Sequence, residues 1–525
     1  MRLKTTNLLS HFANEIKALP VMQYWTSISK KIHFKSSITL LLILFLLIPN
    51  DIFAYSIGKV VDFFTRKPLK GAIIVNNHSS HIEQTDENGM FCIKNNGDKV
   101  AVRAYGYLRA DQAAVPPLSP APQEIKLFPF APKALYLSFY GIGARSLRES
   151  ALRLIQETEL NALVIDVKGD RGMIPYKSAI PLATEVGAQR IITVKDACGL
   201  IKSLREKGVY TIARIVVFKD NLLALRRPDL AVKNQSGEIW RDRENLAWVD
   251  PFQKEVWDYN IDIAIEAAQY GFDEIQFDYV RFPDAVAPQC SVPNTQENRV
   301  KAISGFLMEA RKRLLPYNIF LSADIFGYVC WNLNDTHIGQ TLEDLTSHVD
   351  YLSPMLYPSG FQHGIPGYRI PVTHSYEIVY LSLKRAQERT RLPSVRFRPW
   401  LQAFRDYAFD KRYFEDKEIR DQINAVEKFG SHGWMLWNSQ NIYSKYGLKK
   451  EGLSEFVFQK SDRVVKIPAQ KVSPSGHGPS LKTIPLASED TTADETGSVP
   501  AEAVDARATE ENEGTDNLEG NEVSR

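Results

Sequence analysis

Three aspartates stand at the ends of β-type runs: Asp166 in LVIDVKGD, Asp278 in EIQFDYVRFP and Asp324 in LSADIFG. Cleaving a glycosidic bond needs two carboxyl groups, one giving a proton to the leaving oxygen and one acting as nucleophile or base. Their environments must push their pKa values apart, with the acid in the less polar spot. Asp278 as nucleophile or base and Asp324 as general acid fit that division. A plainer reading of Asp278 stands beside it, in which the carboxylate pairs with Arg281 or caps the next turn. A weaker alternative sets Asp166, Asp278 and Asp324 around a metal ion, against which the shortage of inward histidines argues.

These residues need strands to position them. The stretch GFDEIQFDYVRFP, residues 271–283, alternates, with Ile275 and Phe277 to one side and Gln276 and Asp278 to the other. An apolar side against helices and a polar side facing inward suit a strand of a closed parallel barrel. Asp278 then lies near the strand's C-terminal end, where barrel enzymes keep their chemistry. Neighbouring strands are about 4.8 Å apart. A close, retaining-type carboxyl spacing of about 5–5.5 Å is therefore favoured over the roughly 6.5–9.5 Å of an inverting pair.

Seven further strand-like runs flank this one: 134–142, 160–170, 208–218, 319–329, 349–358, 395–404 and 430–439. Helical stretches such as SLRESALRLIQET, VKAISGFLMEARKRLL and IRDQINAVEKFG separate them. Eight strands alternating with helices predict an α/β fold, a (β/α)₈ TIM barrel over residues 133–458. Setting each apolar face outward turns Asp166, Arg214, Gln276, Asp278, Ser322, Asp324, Ser353, Tyr357, Arg398, Trp400 and Gln402 inward. Charges inside a barrel are costly unless paired, so this set is a candidate site. The alternative is an internal salt-bridge network, such as Asp166 with Arg214. Tyr357, Trp400, Trp434 and Trp437 offer flat faces to sugar rings or serve as core, and Arg398 pairs with a carboxylate or binds a charged substrate group.

The 64 basic and 62 acidic side chains nearly balance, so nothing overall suggests nucleic acid as a partner. No CxxC, HExxH or histidine cluster occurs, so neither a zinc site nor any other cofactor is indicated. Lys30, Lys31 and Lys35 precede an apolar run over residues 38–48, ITLLLILFLLI. It is shorter than the roughly 20 residues of a comfortable span. Residues 1–54 thus read as an export signal ending near Ala54, or as an N-terminal membrane anchor if uncleaved. In an exported chain cysteines can pair, and Cys290 with Cys330 is the favoured pair.

Residues 55–128 hold short β-type runs with turn chemistry between them, which predicts a small all-β sandwich. The order GKVVD, KPLKGAIIV, TDENGMFCI, VAVRAYGY resembles the carboxypeptidase regulatory-like, transthyretin-like domains, which implies an accessory module. Prolines cluster from Val115 to Pro132, so residues 129–132 end a stiff linker. Residues 459–525 lack hydrophobic periodicity and turn acidic, which predicts a disordered tail.

The main domain carries LAVKNQSGEIW, WVDPFQKEVWDYNIDIAIEAAQYGFDEIQFDYVRFP, ADIFG, SPMLYPS, RPWLQAF and GWMLWN in order. These motifs resemble a bacterial family of glycoside hydrolase domains in the wider group of TIM-barrel glycosidases. The resemblance implies a polysaccharide substrate, with Asp278 as the leading catalytic position and Asp324 as its partner. Where the related α-amylase-like barrels carry Arg on the fourth strand and Glu on the fifth, this chain has Gln276 and Asp324. The connection from Lys219 to Asp250 holds Arg226, Arg227, Trp240, Arg241, Arg243 and Trp248. A loop this long is usually functional or mobile. It either walls the cleft toward a polar or polyanionic polymer or is simply solvated.

Overall fold

The computed structural model describes residues 55–450, apart from 77–81, 95–98, 115–121 and 286–287. The export or anchor segment and the acidic tail therefore lie outside the described residues. Among those described, no helix is long and apolar enough to cross a membrane.

The chain begins with seven short strands: β1 (Tyr55–Asp62), β2 (Ile73–Asn76), β3 (Ile82–Gln84), β4 (Met90–Lys94), β5 (Lys99–Arg103), β6 (Ala110–Ala114) and β7 (Gln123–Leu127). They form two sheets, ordered β4-β1-β7 and β3-β2-β5-β6. Alternation brings Val60, Ile74, Phe91, Ile93, Val102, Ile125 and Leu127 into one core. The linker expectation needs correcting here, because Gln123–Leu127 pairs in parallel with β1 as part of a sheet. Apolar alternation through Ile125 and Leu127 outweighs the flanking prolines.

Eight parallel strands follow and close into a barrel: β8 (Lys133–Leu137), β9 (Ala162–Lys168), β10 (Tyr210–Val216), β11 (Glu274–Asp278), β12 (Phe320–Phe326), β13 (Tyr351–Met355), β14 (Trp400–Gln402) and β15 (Trp434–Trp437). All eight strands are shorter than the predicted runs, and in the first and seventh a helical turn takes up part of the run. Residues Phe139–Gly143 turn helical after β8, because the Ser138 hydroxyl caps them by accepting from the Gly141 N–H. On the seventh, residues Ser394–Arg396 form a 3₁₀ turn, leaving Trp400–Gln402 as strand.

The barrel has two separate apolar shells. Ile165, Ile215, Ile275, Phe277, Leu321, Leu352, Leu401 and Leu436 point outward and share one core with the helices. Ala134, Tyr136, Val164, Ile212, Trp400 and Met435 point inward and form another. The helix before the Asp278 strand, Lys254–Tyr270, ends at Gly271 with φ +95°, a left-handed cap that only glycine takes without strain. Three residues later β11 begins, so this cap sets where Asp278 emerges.

The β-rich region seals the N-terminal end of the barrel. Leu108, Phe128 and Phe130 join the inward apolar cluster. Arg109 donates to the Tyr317 and Phe272 carbonyls at 3.2 and 3.1 Å. Arg103 lies 3.7 Å from Asp350, a fully buried carboxylate that Arg311 reaches at 3.2 Å. Burial pushes Asp350 up, but Arg103 and Arg311 hold it below its ordinary pKa. Arg103→Ala removes one of those charges, and the expected loss is about 2–3 kcal/mol of stability. Urea unfolding checks it, and an unchanged midpoint would show that the two parts fold independently.

Candidate active site

Arg214, on β10, is the hub of the C-terminal half of the barrel interior. Its Nη1 donates to Asp166 Oδ1 at 2.6 Å, and its Nε and Nη2 both donate to Asp278 Oδ2, at 2.9 and 2.5 Å. Asp324 Oδ2 lies 4.0 Å from the same Nε. Adjacent strands bring these four residues together: Arg214 pairs in register with Asp166 on one side, and Val216 with Asp278 on the other. The guanidinium also lies 4.9 Å over the Trp437 ring and 5.4 Å over Tyr136, two rings that stack on each other at 4.0 Å. Planar, rigid and permanently charged, arginine suits this place better than lysine.

The two leading carboxyl groups sit in different environments. Asp278 Oδ2 takes both guanidinium bonds, and Oδ1 accepts the Tyr279 backbone N–H at 2.5 Å. That N–H is aimed by a sharp turn, since Tyr279 has φ +46°, an uncommon region for a bulky residue. Such strain costs on the order of 1–3 kcal/mol. Asp324 receives one strong donor, Trp400 Nε1, at 2.7 Å to Oδ1. Its Oδ2 is buried with no hydrogen-bond partner among the described residues. Burial first, and then the Asp278 charge, raise the Asp324 carboxyl well above its ordinary pKa, although Arg214 and Trp400 pull the other way. Asp278 thus accepts three hydrogen bonds and Asp324 one, and it is Asp324 whose burial favours the protonated form.

Trp400 gives a pH-dependent test. Its N–H favours ionised Asp324, so Trp400→Phe raises the Asp324 pKa further. If Asp324 is the acid, activity is lost as pH rises through that pKa. The alkaline limb of kcat/KM is then expected to move to higher pH in the variant, and a pH–rate profile checks it.

The remaining sequence candidates separate by depth. Asp166 is a positioning group: it accepts from Arg214 and from the Tyr136 hydroxyl at 2.6 Å, and burial raises its pKa against both. Tyr357 is half-buried beside the pair, and burial, Asp324 and Asp278 together raise its hydroxyl well above its ordinary pKa. Trp437 is half-buried over Arg214, while Trp400 is 1% exposed and serves as a donor rather than a stacking face.

Three candidates need correcting. Arg398 pairs with a carboxylate, one of its two expected roles, but at the other end of the barrel, away from Asp278. It precedes β14, pairs with Glu274 at the start of β11 and lies 3.9 Å over the Tyr351 ring. Alternation gave its face correctly but not its height. Gln276 is fully buried below Asp278, donating to Ser353 Oγ at 3.2 Å and Met435 Sδ at 3.3 Å. Gln402 is also fully buried, and both its ends are used on Ser359, which in turn donates to Asp406 at 2.6 Å. The metal alternative meets the Arg214 guanidinium, which already bridges Asp166 and Asp278. Among the described residues no group of three or more His, Cys, Asp or Glu is placed to hold a metal ion.

The expected Cys290–Cys330 bridge is absent, since both thiols are free. Cys330 is fully buried in the 3₁₀ turn after β12, whereas Cys290 packs against Asp250 in a different loop. The long connection after β10 divides. Trp248 is buried and packs 5.5 Å from Tyr279 at the site's edge. Arg227 instead pairs with Asp229 and Glu255 at the surface.

Tyr136 escaped notice in the sequence, although it sits two residues from inward Ala134 and the same alternation points it inward. An aromatic edge beyond β14 was also missed. Phe404 meets Tyr357 at 5.5 Å and stacks on Tyr407, which is 52% exposed. Phe404 ends the predicted run 395–404 on the face of Trp400 and Gln402, so alternation marks it, whereas Tyr407 lies in the loop beyond, where no strand period applies.

The family model DUF4015, described as "Putative glycosyl hydrolase domain", matches residues 134–443. A crystal structure of a hypothetical protein from Ruminiclostridium thermocellum is 39% identical over 36% of this chain and 96% of that chain, with TM-score 0.32. The PgaB (BpsB) glycoside hydrolase domain of Bordetella bronchiseptica is 15% identical over 60% of this chain and 95% of that chain, with TM-score 0.44. The spore cortex-lytic enzyme SleL of Bacillus megaterium is 13% identical over 65% of this chain and 74% of that chain, with TM-score 0.36. No curated protein matches the chain.

Proposed function

The chain belongs to the glycosyl hydrolase domain family matched over residues 134–443, and on that premise we propose that it hydrolyses a glycosidic bond in an extracytoplasmic polysaccharide. Asp324 protonates the leaving oxygen, and Asp278 acts as nucleophile or base. The observation that carries this is the division of environments around Arg214. The Asp278 carboxylate holds two guanidinium hydrogen bonds, while Asp324 Oδ2 is buried and unbonded. Environments that push two carboxyl groups apart are what acid-plus-nucleophile catalysis needs. Tyr357 and Trp437, both half-buried, and the Phe404 edge would offer aromatic surface to sugar rings.

Both carboxylate oxygens approach one nitrogen, Arg214 Nε, at 2.9 and 4.0 Å. That favours the close spacing of about 5–5.5 Å used by retaining enzymes. The anomer first released, read by proton NMR, tests this, and an inverted product would remove Asp278 as nucleophile. The apolar run at 38–48 is the reason for placing the substrate outside the cytoplasm.

The test is release of reducing ends from a panel of bacterial exopolysaccharides and cell-wall glycans. The full chain is the protein to use, because the β-rich region closes the barrel's N-terminal end. A second reading, a carbohydrate-binding or envelope-scaffold protein on an inactive barrel, is favoured by the low exposure of Asp278 and Asp324, 4% and 0%. Saturable polymer binding without any release would favour that reading.

A further inference from the structure

Arg281 lies three residues beyond Asp278, in the loop leaving β11 at the barrel's C-terminal end. A guanidinium carries five N–H donors. Among the described residues Arg281 makes one hydrogen bond, from Nη1 to the Phe282 carbonyl at 2.9 Å. Asp278, Asp284 and Asp242 act on it through space, but none reaches ion-pair distance. Asp278 is engaged by Arg214, and Asp242 by Lys219 at 3.3 Å and the Trp248 N–H at 3.0 Å. Asp284 is exposed to solvent. The expectation that Asp278 pairs with Arg281 is therefore not met.

The group is nonetheless held in place. Its guanidinium lies 4.9 Å over the Trp248 ring and 5.2 Å over the Tyr279 ring. Trp248 is fixed through Asp242, and Tyr279 through the strained turn that bonds its N–H to Asp278. Such stacking pre-organises the arginine fork, so little rotamer freedom remains to be lost on binding. Burial disfavours the Arg281 charge; Tyr279, Asp278, Asp284 and Asp242 offset only part of that cost through space, and no carboxylate among the described residues is at ion-pair distance. The neighbouring cations Arg214 and Lys219 both have carboxylate partners.

We propose that Arg281 is the receptor for a carboxylate on an acidic sugar of the substrate, a uronate residue bound beside Asp278. The proposal rests on the glycosidase reading and names its substrate class. A planar carboxylate matches the fork with two parallel hydrogen bonds. A site built for such a group discriminates strongly against the analogue lacking it.

The test uses the full chain and two probes, oligogalacturonates and their carboxyl-reduced counterparts, with binding read by calorimetry. The expected result is binding of the acidic oligomer, about 10- to 100-fold weaker for the reduced oligomer. Arg281→Ala is expected to erase that preference, and Arg281→Lys to keep only part of it. Thermal melts of both variants monitor folding, and the lysine variant keeps the charge if the alanine variant fails to fold. Equal wild-type affinity for the two probes, no binding of the acidic probe, or an unchanged preference in both variants would overturn the proposal. Discriminating binding without hydrolysis of any polymer would leave it standing and remove the catalytic reading instead. Hydrolysis of a neutral polymer with unchanged kcat/KM in Arg281→Ala would do the reverse.

Discussion

Asp278→Asn is expected to lower turnover of the polysaccharide substrate by about 10³-fold or more. Wild-type Asp278 accepts from Arg214 Nε through Oδ2 at 2.9 Å and from the Tyr279 N–H through Oδ1 at 2.5 Å, and the single asparagine oxygen can keep only one of these two sets of bonds. The side chain keeps its size and loses its charge and one acceptor, so a thermal melt accompanies the assay, and polymer binding should persist if the fold is retained. Asp324→Asn should behave differently. It removes the proton donor, so turnover of the polymer falls. An aryl glycoside with a good leaving group, which needs little acid assistance, should be hydrolysed much better than the polymer. Reducing-end assays on the polymer, paired with release of dinitrophenol, separate the two roles. A fully active Asp278→Asn protein would refute the assignment. Equal losses on both substrates in Asp324→Asn would leave Asp324 without its role as acid.

Arg214→Met is expected to be the most destabilising single change in the barrel, by about 3–5 kcal/mol at neutral pH. Asp166 and Asp278 would lose the guanidinium that bonds both, and each is at most 4% exposed. Burial already raises the Asp166 pKa, and the Arg214 charge is the largest opposing influence. Without Arg214 the Tyr136 hydrogen bond is the main opposition left to that rise. A carboxyl whose folded pKa exceeds its unfolded value keeps its stability below the unfolded value. It loses that stability as pH climbs toward the folded value. The gap between variant and wild type should therefore be narrow near pH ~4, the ordinary Asp value, and widen toward neutrality. Urea denaturation at a series of pH values checks this. A gap that does not vary with pH would mean that the guanidinium acts through packing on Trp437 and Tyr136 instead.

The strand period of two decides which side chains share a face, and it is a local property of the chain. It therefore determined from sequence alone that Asp166, Arg214, Asp278 and Asp324 enter one barrel interior while Ile275 and Phe277 meet the helices. Height along the barrel axis is not local. It depends on where each strand starts relative to its neighbours, which the register of the closed sheet sets. Arg398 therefore pairs with Glu274 at the far end, and Gln276 lies sealed beneath Asp278. Nor is charge partnership local. Only the folded barrel decided that Asp278 pairs with Arg214 across a strand rather than with Arg281 three residues away. That choice leaves Arg281 without a carboxylate partner among the described residues. The difference between Asp278 and Asp324 has the same origin. Both are aspartates at neighbouring strand ends, and only the tertiary structure gives one a guanidinium and the other a buried, unbonded oxygen.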